Sequence, residues 1–142
     1  MLKQKTKVIE IGQDKYRLSK LDARSASYLC MKVAAIIAPA LPIGGAAKDD
    51  MTKDDVISFL CGMPRKEFDE LQTMLLKTVC KLEDAKGADM PVPILNASGN
   101  FVDADLAYDA RTVMALTAAA TWFNIGSFFQ DPALLQTMKA QL

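Results

Sequence analysis

The densest group of ionisable side chains is Asp49, Asp50, Asp54 and Asp55. Such a cluster could hold calcium or supply an acid/base pair. A calcium loop, however, needs a central glycine and a terminal bidentate glutamate, and neither stands at the required offset. Carboxylates are also stabilised at the positive end of a helix, so the cluster reads as a solvated helix start. Gly44-Gly45 followed by Lys48 lacks the spaced glycine and the Lys-Ser/Thr pair of a phosphate loop. Cys30, Cys61 and Cys80 are an odd set without close spacing and form no zinc site. The chain has no histidine, which removes the commonest general base and the usual partner of a nucleophilic serine or cysteine. The expectation is a protein that is not an enzyme, with no catalytic, cofactor-binding or metal-binding residues.

What remains for function is apolar surface. There are eight methionines, whose flexible thioethers suit irregular cores and adaptable contact surfaces alike. The stretch Trp122-Phe123-Asn124-Ile125-Gly126-Ser127-Phe128-Phe129 is rich in aromatic residues. Successive helical residues turn by about a hundred degrees, so Trp122, Phe123 and Ile125 point in different directions. Gly126 is expected to interrupt the helix and let Phe128 and Phe129 turn away from it. Trp122, Phe128 and Phe129 are therefore the candidate partner-binding residues.

These residues must be carried by a chain of 142 residues, the size of one domain, of which 51% are hydrophobic. The 17 basic and 17 acidic side chains cancel, so no summed positive field draws in nucleic acid or anionic lipid. Thr112 to Gln130 is uncharged and nearly long enough to span a bilayer, but its threonines, Asn124, Gln130 and small alanines suit a buried helix better. No membrane association is expected. The cysteines read as reduced core residues of a cytosolic protein. The N-terminal lysines precede no apolar segment of the kind a secretory signal needs.

Lys7–Gly12 and Tyr16–Ser19 alternate around a turn and predict a β-hairpin. Lys3, Lys5 and Lys7 share one face of the arm and would guard its edge. Ser19 and Asp22 are spaced like a capping box before a helix from Asp22 to Ala38, with apolar residues at 26, 29, 30, 33 and 37. Two prolines and two glycines make Pro39–Asp50 a break or hinge. Thr52 and Asp55 repeat the capping pattern for a short helix ended by Gly62. Pro64 then fits the first position of a helix whose stripe runs through Phe68, Leu71, Leu75, Val79 and Leu82. Ala88–Phe101 reads as an extended connection. A long apolar helix follows from Ala104 to Ile125, and Asp131-Pro132 opens a closing helix. The predicted fold is mainly α: an N-terminal arm and hairpin over residues 1–20, then about five helices over 21–142, in a single domain.

The order of Tyr16-Arg17-Leu18, Lys20-Leu21-Asp22-Ala23, Ile36-Ile37-Ala38-Pro39-Ala40-Leu41 and Asn124-Ile125-Gly126-Ser127-Phe128-Phe129 resembles phage tail assembly chaperones. The resemblance implies a non-catalytic holdase in the cytoplasm of the bacterial host, absent from the finished virion. It implies binding to the tape measure protein until tail tube subunits polymerise around it, with possible homo-oligomers. Some members have a longer frameshifted form, and this chain is expected to be the short one. The family offers no fixed site residues to carry over. The competing expectation is a structural or adaptor protein retained in the assembled particle. A holdase needs adaptable apolar surface and no acid, base or metal, which agrees with the residue inventory.

Overall fold

The computed structural model describes residues 5–37, 52–129, 137 and 140–142. The N-terminal hairpin forms where alternation places it, as β1 (Thr6–Ile11) and β2 (Asp14–Ser19), with Ile9 opposite Tyr16 and Ile11 opposite Asp14. Gly12 takes φ +63° in the two-residue turn, a conformation open to glycine without steric cost. Tyr16 and Leu18 point to one face and are buried. Helix α1 (Ala23–Ile37) follows. Its start is capped by Asp22, whose carboxylate accepts the Ser25 N–H at 3.1 Å; the cap is thus this residue rather than Ser19. The expected hinge at Pro39–Asp50 lies outside the described residues.

Helix α2 (Lys53–Cys61) begins with the capping box read from Thr52 and Asp55 and ends at Gly62. Helix α3 (Arg65–Leu76) starts directly after Pro64, which sits at the cap position. The predicted continuation of its stripe to Val79 and Leu82 is wrong. Lys77 closes the helix, and Thr78 turns the chain by donating its hydroxyl to the Leu75 carbonyl at 2.7 Å. Val79–Ala85 is then strand β3, paired antiparallel with β2 so that Val79 lies opposite Leu18. The apolar spacing of 75, 79 and 82 fits a helix, but the free edge of β2 offers a β-branched residue like Val79 a paired and buried place.

Part of the extended connection is strand β4 (Ala88–Pro93), joined to β3 by a turn with Lys86 at φ +54° and Gly87 at φ +84°. Prolines normally argue against a strand, yet an edge tolerates them. The Ile94 N–H bonds the Val79 carbonyl at 3.2 Å, which sets the even-numbered residues of β4 toward β3 and turns the nitrogens of Pro91 and Pro93 to the open edge. The result is a four-stranded antiparallel sheet in the order β1-β2-β3-β4, with α1 to α3 inserted between its middle strands. The protein is a mixed α/β fold, and the expectation of a mainly α fold with one hairpin is corrected.

The long helix predicted from Ala104 is divided. Helix α4 (Ala104–Ala107) is a single turn, and α5 (Ala110–Phe129) begins afresh after Asp109. Asp109 accepts both the backbone N–H of Thr112 at 3.1 Å and its hydroxyl at 2.7 Å, a local cap that stabilises the restart. Helix α5 is the central post, touching α1, α2, α3, α4, β1 and β2. Its Leu116, Ala120 and Ile125 enter one buried cluster with Leu18, Leu29, Phe59, Leu75 and Val79. Thr117 and Thr121 are also buried, and each donates its hydroxyl at 2.8 Å to the carbonyl one turn back, so their burial leaves no unmet polar group. The closing helix expected from Asp131 lies outside the described residues, apart from helical Thr137 and Ala140.

Candidate functional site

The C-terminal part of α5 closes against the junction between β2 and α1. Asn124 is buried there; its side-chain oxygen accepts the Leu21 N–H at 2.9 Å, and its amide donates to the Ala120 carbonyl at 2.8 Å. Lys20 donates to the Phe123 carbonyl, and its ammonium lies 4.2 Å from the centre of the Phe123 ring. Residues a hundred positions apart in sequence therefore meet in one clasp, which joins the Lys20-Leu21-Asp22 segment to the Asn124 segment.

Helix α5 does not break at Gly126; it runs on to Phe129. The glycine instead makes room for Trp122, since a Cβ there would stand 3.1 Å from the indole Cε2. Trp122 is partly buried, packed against the core cluster. Phe128 and Phe129 share the last turn of the helix, while their side chains lie outside the described residues. The structure thus seats Trp122 and places Phe128 and Phe129 on the same helix without a turn-away.

A second feature joins α1 to α3. Both helices rest on α5, and between them opens a groove of about 200 Å³. Its floor is formed by Leu71, Met63 and Met74, with Tyr28 on the α1 side. Glu67, Glu70, Leu71 and Met74 recur at helical spacing, so α3 presents them together. At the rim the Lys32 ammonium pairs with Glu67 at 3.3 Å and lies 5.6 Å from the Tyr28 ring. The hydrogen bond with Glu67 raises the Lys32 pKa above its ordinary value. Glu70 is exposed and has no ion-pair partner among the described residues. Tyr28 and Met31 on α1 stay 52% and 58% exposed, which extends apolar surface outward from the groove. The volume falls below the roughly 300 Å³ at which small-molecule and cofactor sites begin; it suits one or two side chains of a partner.

Sequence reading missed this groove. Its signal was present in α1, where Tyr28 and Met31 are large apolar residues out of phase with the buried stripe through Leu29, Cys30 and Val33. Leu71 and Met74 gave no comparable signal, because an α3 residue beside a groove has the same sequence pattern as one packed in the core, and Met63 lies in the short link before α3.

Among the described residues no three of His, Cys, Asp or Glu gather as metal ligands, and no helix is long and apolar enough to cross a membrane. Cys30 is buried, Cys61 exposed and Cys80 between the two, all as free thiols. Burial pushes the Cys30 thiol pKa up, against a smaller opposing effect of Lys20, which disfavours the reactive thiolate. Burial likewise raises the Tyr16 phenol, helped by the nearby carboxylates of Asp14, Asp109 and Asp103. Neither shift favours the ionised form of its group.

No curated protein and no solved structure matches this chain significantly. The family described as phage tail assembly chaperone protein, TAC, matches residues 12–136, a span that takes in β2 to β4, the groove and the α5 clasp, with β1 lying before it. The chain belongs to the phage tail assembly chaperone family.

Proposed function

We propose that this protein is a non-catalytic holdase that binds the tape measure protein during tail morphogenesis, in the cytoplasm of the bacterial host. The observation that carries the reading is the set of large apolar side chains left at the surface of the helices. Tyr28, Met31, Ile57 and Met114 are each more than half exposed, and Tyr28 lines the methionine-floored groove. Apolar surface of this kind marks sites of protein contact, and methionine adapts to varied helical partners. The aromatic residues Trp122, Phe128 and Phe129 are proposed as a further part of the binding surface. Tail tube subunits and other copies of the chain are proposed as additional partners.

The test is co-expression with the tape measure protein of the same phage. The chain should raise the soluble yield of the tape measure protein, co-purify with it, and be missing from mature particles by mass spectrometry. Tape measure protein that is equally soluble alone and never co-purifies refutes the reading. Stoichiometric retention in the purified particle favours a structural adaptor instead.

A further inference from the structure

Resting on that reading, we propose that the groove between α1 and α3 seats one amphipathic helix of the partner, with a large aliphatic or methionine side chain in the groove and a lysine or arginine one turn away facing Glu70. The shape argues for a helix. The 12 residues of α3 give the wall a length of about 18 Å, or about three turns of a helix lying alongside. Recognition of this kind places residues at i, i+3, i+4 and i+7 into an apolar groove. The Met63 and Met74 side chains can repack around anchors of different shape.

The charge argues for a basic flank. The chain as a whole is neutral, but the groove is not. Lys32 is paired with Glu67 at 3.3 Å, so of the charged residues that line the groove, Lys32, Glu67 and Glu70, the carboxylate of Glu70 is left over and the lining is net negative. An incoming acidic helix would meet Glu70 and Glu67 unfavourably, whereas a basic one completes the rim. Electrostatic matching of this sort sets register and partner choice more than raw affinity.

The experiment uses the full chain and two labelled synthetic helices that share one leucine stripe, one flanked by lysines and one by glutamates, alongside the tape measure protein itself. The lysine-flanked helix should bind about fivefold more tightly, a difference of about 1 kcal/mol, the upper end for an exposed charge pair. Glu70→Lys should reverse the order. Tyr28→Ala should weaken both helices and the tape measure protein by about fivefold or more. Both positions are exposed, so these variants should keep the wild-type unfolding midpoint, which is measured in parallel. Unchanged peptide preference in Glu70→Lys overturns the proposal. So does tape measure capture that persists at full strength in both variants, and in that case the holdase reading survives. If the wild-type chain binds the lysine-flanked helix but never the tape measure protein, the holdase reading fails and the tape measure is overturned as occupant. A change of oligomer size in Glu70→Lys without a change in peptide binding overturns the proposal in favour of a second copy of the chain.

Discussion

Replacing Asn124 with alanine tests whether the clasp between α5 and the β2–α1 junction holds the fold together. The Leu21 N–H precedes α1 and is bonded by the Asn124 side chain at 2.9 Å in a buried setting. Removing the acceptor leaves that donor unsatisfied, which costs about 1–3 kcal/mol. Alanine returns about 0.5 kcal/mol through its better helix propensity. The expected net loss is about 1.5 kcal/mol. For a chain of this size a urea m-value of about 2 kcal/mol/M turns this into a drop of about 0.7 M in midpoint. Thr121→Val is the control. Thr121 is as deeply buried, but its hydroxyl bonds only the Thr117 carbonyl of its own helix, so its loss should cost under about 1 kcal/mol. Chemical unfolding followed by circular dichroism reads both. An Asn124→Ala cost equal to or below that of Thr121→Val refutes the clasp.

Gly126→Ala should shift the emission maximum of the only tryptophan, because the new Cβ would stand 3.1 Å from the Trp122 ring, while the helix-propensity gain of about 1 kcal/mol keeps stability near wild type; an unchanged spectrum would place the ring elsewhere. Phe128→Ala and Phe129→Ala should each weaken association with the tape measure protein by about 2 kcal/mol at a nearly unchanged unfolding midpoint, and a collapse of the midpoint with association intact in the folded fraction would make the rings core. The carboxyls of Asp22 and Asp109 are held below their ordinary value, first by hydrogen bonds from the Ser25 and Thr112 side chains. Below about pH 5 the unfolded chain then binds more protons than the folded one, and the stability these groups contribute is lost as pH falls through their folded values. The double variant Asp22→Asn, Asp109→Asn should therefore lose less stability between pH 5 and pH 3 than wild type, and equal slopes in acid titrations followed by circular dichroism would contradict the capping role.

Much of the local structure was written in the sequence by itself. Alternation around Gly12 specified the β1–β2 hairpin, and Thr52 with Asp55 specified the start of α2, because turns and caps are satisfied by residues two to four positions apart. The absence of histidine and the even charge set the expectation of contact surface rather than histidine-dependent chemistry before any fold was known. The order of the recognised segments was enough to identify the family, which matches residues 12–136.

The fate of Val79 was decided only in three dimensions. Its spacing from Leu75 continues a helix, but its partner is Leu18, on a strand that α1, α2 and α3 separate from it in sequence. No local pattern reports the free edge of β2, so helix and strand could not be told apart there, and the sheet was underestimated by half. The reading of Gly126 failed for a related reason. Alone it signals a break; beneath the Trp122 ring it is the space an indole needs. The groove has the same origin, since it exists because α1 and α3 both lean on α5. The sequence carries propensities and periods over a few residues, whereas edges, seats and gaps arise from which distant elements come to lie side by side.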